Sequence, residues 1–295
     1  MKNKIVIFGE ILWDCFPDKN IPGGAPMNVA VHTKYLGLDT TFISKVGNDT
    51  LGKELVAFAH SKSLPTRFIE TDSIHDTSRV LVDNSDNENI RYEIVEPVAW
   101  DFMEWNEEKQ QKVDEADAMV YGSLAARNAT SRATLLKLLA TSSLKIFDIN
   151  LRAPHYSPEI LQQLLAKADI LKINEEELDL LSQIHQLPQE ITAAFALLAE
   201  KFQLKMICLT KGSAGAMIYD GKQIHHHPGY KIKVEDTVGS GDAFLSGFIY
   251  QFLQGKQPEE ILDFACALGA LVATQKGGTP IYEMKDIKRT MDKSL

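Results

Sequence analysis

The segment Asp236-Thr237-Val238-Gly239-Ser240-Gly241-Asp242-Ala243-Phe244 joins small residues, an acidic side chain and the start of an apolar helix pattern. Small residues let a backbone approach an anion. The helix that follows aims its free N–H groups and positive dipole end at the same point. This combination suits the holding of a transferring phosphoryl group. Asp242 falls in the first turn, where the dipole favours its ionised form, and it could accept a proton from an attacking hydroxyl. The same carboxylate could instead cap the helix.

A second segment, Pro22-Gly23-Gly24-Ala25-Pro26-Met27-Asn28-Val29-Ala30, sets two glycines before a helix beginning at Pro26. Asn28 lies in its first turn, and its amide both donates and accepts, as the hydroxyls of a polyol require. Asp14, soon after the first strand, could clamp two adjacent hydroxyls or remain a solvated loop carboxylate. Trp13 suits a core or lid packing role.

Three further segments have the right residue types. Asn174 and Glu177 stand one turn apart at a helix start. Their oxygens suit Mg²⁺ held through its waters, or form a capping box. Thr210-Lys211-Gly212-Ser213-Ala214-Gly215 follows a strand and either approaches a nucleotide or makes a plain hairpin turn. Asp148, Asn150 and Arg152 end a strand on one side. Arg152 could meet phosphoryl charge or pair with Asp148. Gly47-Asn48-Asp49-Thr50-Leu51-Gly52-Lys53-Glu54 nearly reads as a phosphate loop, but Glu54 replaces the hydroxyl residue that Mg²⁺ needs there. Gly9 stands alone after the first strand, so no dinucleotide fingerprint follows it. His225-His226-His227 reads as a solvated strand end, because alternating side chains cannot bring three adjacent histidines to one metal.

The elements that must position these residues alternate. Strand-like runs at Lys4–Gly9, Thr41–Val46, Ala118–Tyr121, Lys145–Ile149, Ile170–Ile173 and Lys205–Leu209 are interspersed with helix-like stretches at Pro26–Leu36, Leu51–Ser61, Arg132–Ala140, Pro158–Lys167 and Glu175–Ser182. This order predicts an α/β fold, a three-layer α/β/α sandwich on a mostly parallel central sheet. Ser78–Asp83 and Ile90–Val95, around the polar turn Asn84–Asn89, predict a β-hairpin. It is either an ordinary edge hairpin or part of a small β lid formed by about 14–22 and 76–98. The expected organisation is one domain over 1–295.

The 295 residues carry a net charge of −9, which disfavours a broad nucleic-acid footprint. No apolar run is long enough to span a membrane. Cys15, Cys208 and Cys266 lack paired spacing and suit a reducing compartment. The N-terminal apolar run is too short for a signal peptide and reads as the first strand. The expectation is a cytoplasmic protein.

Taken together, Gly23–Ala30 and Asp236–Asp242 resemble the two signatures of the ribokinase-like (PfkB) carbohydrate kinases, in the family's order. Val46-Gly47-Asn48-Asp49 with Gly52, Asn174 to Glu177, Thr210 to Gly215 and Gly277-Gly278-Thr279-Pro280 resemble four supporting elements. Gly23 to Ala30, the start Gly9-Glu10-Ile11-Leu12-Trp13-Asp14 and the strand end Phe147-Asp148-Ile149-Asn150-Leu151-Arg152 look most like fructokinases. Ser240 stands where the family usually has Ala. Arg91 to Glu96 departs from the aromatic-rich lid of fructokinases.

The resemblance implies ATP-dependent phosphorylation of a sugar hydroxymethyl, with fructose giving fructose 6-phosphate. Asp242 would be the base, and Gly239, Ser240 and Gly241 the anion hole. Asp14, Gly24 and Asn28 would hold the sugar. Asn174, Thr210, Gly212, Gly215 and Gly278 would lie along the nucleotide, with Asn174 and Glu177 organising Mg²⁺. Asp236 and the Val238 carbonyl match a K⁺ site. Lids of the family often pair two copies, which implies a homodimer. Other readings are a kinase for ribose, 2-keto-3-deoxygluconate or a nucleoside, and a non-catalytic sugar sensor.

Overall fold

The computed structural model describes residues 2–83, 91–141 and 143–292. Its strands are β1 (Lys4–Phe8), β2 (Leu12–Cys15), β3 (Asn20–Gly23), β4 (Asp39–Gly47), β5 (Ile69–Asp72), β6 (Arg79–Asp83), β7 (Arg91–Ile94), β8 (Ala118–Gly122), β9 (Leu144–Asp148), β10 (Ile170–Asn174), β11 (Met206–Thr210), β12 (Ala216–Tyr219) and β13 (Ile224–His227). The described residues form a sheet in the order β13-β12-β11-β10-β9-β8-β1-β4-β5. Pairing is parallel from β11 through to β5, and β12 and β13 add an antiparallel hairpin at one edge.

Side-chain alternation assigns each strand to two cores. Val6 and Phe8 of β1 enter one, with Leu135, Leu161, Leu181 and Phe195 from helices on that side. Ile5 and Ile7 enter the other, with Met27, Leu55, Phe248 and Ile261 from the opposite helical layer. Strands covered on both faces are largely apolar, as the sequence pattern predicts, with Thr40, Ser44 and Lys172 among the buried polar exceptions. The expected helix Arg132–Ala140 runs over Ala129–Leu138, starting earlier because Asn128 caps it by accepting from Thr130 N at 2.9 Å.

A second, four-stranded sheet, in the order β3-β2-β6-β7, is built from the two segments in which the lid is expected. It begins at Leu12 and reaches Gly23, slightly beyond the expected 14–22. β6 and β7 pair antiparallel, and the turn expected at Asn84–Asn89, with Ile90, lies outside the described residues. Trp13 on β2 is buried, and its Nε1 donates to Leu51 O at 3.0 Å.

The loop Gly47–Glu54 is filled by its own Asp49. That carboxylate accepts from Gly52 N at 2.7 Å and from Thr77 N at 2.8 Å. The Gly52 N–H that a phosphate would need is thus already bonded within the loop. The histidine run differs from its expectation: His225 is buried rather than solvated. Alternation turns it toward the helix Pro258–Ala273, where Nδ1 lies 2.7 Å from Glu259 and Nε2 2.8 Å from Asp220. His226 points outward, as the strand period requires. Cys208 and Cys266 are buried free thiols, and Cys15 is half-buried. Among the described residues no helix is long and apolar enough to cross a membrane.

Candidate active site

The carboxyl ends of β9, β10 and β11 lie along one edge of the sheet, the usual ligand position in open α/β sheets. Strand parity then selects a face. Ile146, Ile170 and Cys208 enter the core that includes Phe248, so Asp148, Lys172 and Thr210, two residues further on, face the same layer. The helix Ser240–Leu253 belongs to that layer, and its N-terminus approaches this strand edge at Lys172.

That helix starts at Gly239, with φ 75°, and no side chain caps it. Gly is required here, because a Cβ would stand 2.5 Å from Gly278 Cα. Ser240 N bonds weakly back to Thr237 O at 3.2 Å, and its hydroxyl also donates there, at 2.8 Å. A Cβ at Gly241 would meet only Lys172 Nζ, at 3.8 Å, so space remains above the first turn.

Asp242 does not act as the helix cap. Its Oδ2 accepts from Asn28 Nδ2 at 2.8 Å, joining two segments 214 residues apart. Burial pushes its pKa up to about 6, and Asp148 adds to the rise. The Asn28 hydrogen bond, Lys172 and Arg152 oppose it. The group is therefore mostly ionised at neutral pH yet more basic than an ordinary aspartate. Asn28 is 5% exposed and its Oδ1 is buried without a partner, leaving one acceptor unused beside the carboxylate.

Asp14 on β2 is half-buried against Gly23, where a Cβ would stand 2.5 Å from its Oδ2. Burial raises it to about 6 against the pull of Arg152. Gly24, at φ 111°, brings the chain so close to Glu10 O that a Cβ would sit 2.6 Å from it. Arg152 is exposed and its Nη1 donates to Leu151 O at 2.8 Å. The alternative ion pair with Asp148 does not form. Asp148 is taken instead by Lys172 at 2.9 Å, which leaves the guanidinium charge acting on Asp14, Glu10 and Asp242.

Asn174 and Glu177 make the capping box that their spacing allows. Asn174 Oδ1 accepts from Glu177 N, and Glu177 Oε2 from Asn174 N, both at 2.8 Å. Glu177 Oε1 also accepts from Leu151 N at 2.9 Å, so this carboxylate ties the Arg152 loop to β10. Thr210, Gly212 and Gly215 form the hairpin turn between β11 and β12, with Lys211 N bonded to Gly215 O at 2.8 Å. The turn stands next to Asn174, which pairs in register with Thr210. Asp236 bridges two loops: Oδ1 accepts from Val238 N and Oδ2 from Gly277 N, each at 3.0 Å. Val238 is exposed.

Three residues of the site escape reasoning from spacing. Glu10, 3% exposed with Oε2 unpartnered, is pushed to about 7 by burial. Arg152 draws it down, while Asp242 and Asp148 push it up. Lys172 is buried beneath Gly241. Burial draws its pKa down, but Asp148, Glu177 and Asp242 outweigh that and keep it charged. His32 holds the Gly278 loop from behind. A lysine within the apolar run Ile170–Ile173, and a histidine among the small residues after Asn28, are the signals that could have found two of them.

The pfkB family carbohydrate kinase model matches residues 3–284. Fructokinase of Escherichia coli is 30% identical, over 94% of this chain and 95% of that protein. An uncharacterized sugar kinase from Pyrococcus horikoshii, solved in complex with ATP, superposes with TM-score 0.78 at 26% identity, covering 97% of this chain and 99% of that one. Fructokinase with bound ATP from Xylella fastidiosa gives TM-score 0.86 at 23% identity, over 100% and 99%.

Proposed function

Because the chain belongs to the pfkB family of carbohydrate kinases, and is thus a sugar phosphotransferase, we propose that it transfers the γ-phosphate of ATP to the hydroxymethyl of fructose, giving fructose 6-phosphate. The observation that carries the chemistry is Asp242, bonded to Asn28 at the uncapped start of the helix Ser240–Leu253. The similarity to a fructokinase supports the choice of sugar, and the ATP complex of the Pyrococcus relative supports the nucleotide.

In this reading Asp14, the Gly24 backbone and Asn28 hold the sugar. Asp242 takes the proton of the attacking hydroxyl as the new O–P bond forms and the bond to the leaving ADP breaks. The N–H groups of Gly239 and Gly241 face the developing charge, joined by that of Ser240 when it turns from its weak bond to Thr237 O, and Arg152 adds a positive field. Such catalysis is chiefly positioning and electrostatics. Thr210, Gly212, Gly215, Asn174 and Gly278 line the nucleotide.

The donors at Asn174 and Glu177 are oxygens, each already accepting one backbone N–H, which fits a Mg²⁺ held through water rather than directly. When bound there, the ion would neutralise phosphate charge. Asp236, its carboxylate shared by two loops, and the Val238 carbonyl would hold K⁺. The whole chain forms one kinase domain in which the second sheet is the lid, excluding water from the transfer.

The deciding experiment is ADP release with ATP, Mg²⁺ and K⁺ against fructose, ribose, glucose, 2-keto-3-deoxygluconate and adenosine. Strong preference for fructose is expected. Preference for another acceptor would overturn the sugar and leave the Asp242 chemistry. Silence across the panel would remove the reading of the acceptor pocket.

A further inference from the structure

His32 lies on the helix Ala25–Tyr35, one turn after Asn28 and on the same face, fully buried. Its two ring nitrogens are both engaged. Nε2 lies 2.9 Å from Gly278 O and Nδ1 3.0 Å from Tyr282 Oη. A carbonyl only accepts, so Nε2 carries the hydrogen, and the Tyr282 hydroxyl donates to Nδ1. Burial holds the imidazole neutral, its pKa lowered to about 4, which agrees with this single tautomer. The ring stacks on Tyr282 at 5.6 Å and meets Tyr35 edge-on at 6.4 Å, packing that supports its placement against the loop.

The loop it grips is the meeting point of the site. Gly277 N bonds to Asp236, Gly278 O to His32, and Thr279 O to Lys62 Nζ at 2.8 Å. Three consecutive residues are thus tied to three separate segments. Gly278 also fills the gap between the two halves of the chemistry. A Cβ on it would stand 2.8 Å from Asn28 Nδ2, and a Cβ on Gly239 would stand 2.5 Å from its Cα. Displacement of Gly278 therefore reaches the Asn28–Asp242 pair and the phosphate loop together. Of the three ties, only that of His32 comes from the helix that carries Asn28.

We infer that His32 is a positioning residue that couples acceptor binding at Asn28 to assembly of the Gly239–Gly241 loop, by holding Gly278 against both. The inference rests on the acceptor and phosphate roles assigned above. Coupling of this kind makes each ligand raise the affinity of the other by the same factor.

The test compares His32→Leu, His32→Gln and His32→Asn with the parent protein. Fructose affinity is measured with and without a non-hydrolysable ATP analogue and Mg²⁺, alongside kcat, KM and amide hydrogen exchange over residues 275–281. His32→Leu is expected to speed exchange in that segment and to lower the coupling factor by about tenfold. It should also reduce kcat while leaving the affinity for fructose alone within about twofold. His32→Gln, whose amide nitrogen reaches the place of Nε2 and can donate to Gly278 O, should recover coupling. The shorter His32→Asn should not.

Parent-like coupling in His32→Leu, or equal impairment of the Gln and Asn variants at equal thermal stability, would overturn the inference. If His32→Leu does not fold, the Gln and Asn pair decides in the same way. If the parent binds no fructose, the substrate reading fails. Exchange over 275–281 with the nucleotide analogue then decides for His32: protection in the parent and the Gln variant supports it, and equal protection in the Asn variant overturns it.

Discussion

Asp242 gains its basicity from its surroundings. Burial lifts it to about 6, so it is charged at neutral pH and ready to take a proton. Because the charged form is the active one, kcat/KM should fall as pH drops through about 6, tenfold per unit. A limb near the ordinary aspartate value of about 4 would remove Asp242 as the base. Asp242→Asn should keep sugar binding and lower kcat by several orders of magnitude. Asn28 bonds the charged form of Asp242 and so lowers its pKa. Asn28→Ala should therefore move the acid limb upward and weaken the sugar far more than ATP. An unmoved limb would mean that the Asn28–Asp242 bond is not kept during turnover.

At the scale of elements, the site depends on a helix start that nothing caps. Gly239 at φ 75° turns the chain into it, and Gly278 leaves no space for a side chain. Gly239→Ala combines backbone strain of about 1 kcal/mol with displacement of one loop or the other. It should reduce kcat by more than a hundredfold with only a modest fall in melting temperature, and near-normal kcat would exclude the loop from the chemistry. At the sheet edge, His225 joins the β12–β13 hairpin to the helix Pro258–Ala273. Its pKa is raised chiefly by the hydrogen bond it donates to the Asp220 carboxylate, then by Glu259. A raised folded pKa means that the stabilisation is present in full below the unfolded value of about 6.5 and is lost as pH rises through the folded value. His225→Ala should therefore lower the melting temperature more at pH 6 than at pH 9, read by thermal denaturation at the two pH values.

At the scale of the molecule, one edge of the sheet collects strand ends whose side chains face a single helical layer, while the second sheet is anchored through Trp13 to the helix Thr50–Ser61. Leu81, on β6 of that sheet, is 40% exposed. If the lids pair two copies, light scattering should report a dimer, and Leu81→Asp should shift it toward monomer while leaving the Asp242 pH limb in place. A parent that scatters as a monomer at micromolar concentration would end the dimer expectation.

The alternation of apolar strands and helices and the glycine loops at 23–24 and 239–241 were legible along the chain, because period and small-residue runs are local properties. The candidate base and its amide were legible for the same reason, each sitting in the first turn of its own helix. Their contact was not. Asn28 meets Asp242 only because two helices of one layer pack side by side across 214 residues. The alternatives left open at Asp148 and Arg152 were of this kind too, whereas the capping box at Asn174 is local and its spacing already allowed it. Whether Asp148 takes Arg152 or Lys172 depends on which neighbouring strand brings a cation to the same face. Glu10, Lys172 and His32 acquire their roles from burial and from neighbours distant in sequence, and those are set only when the layers close.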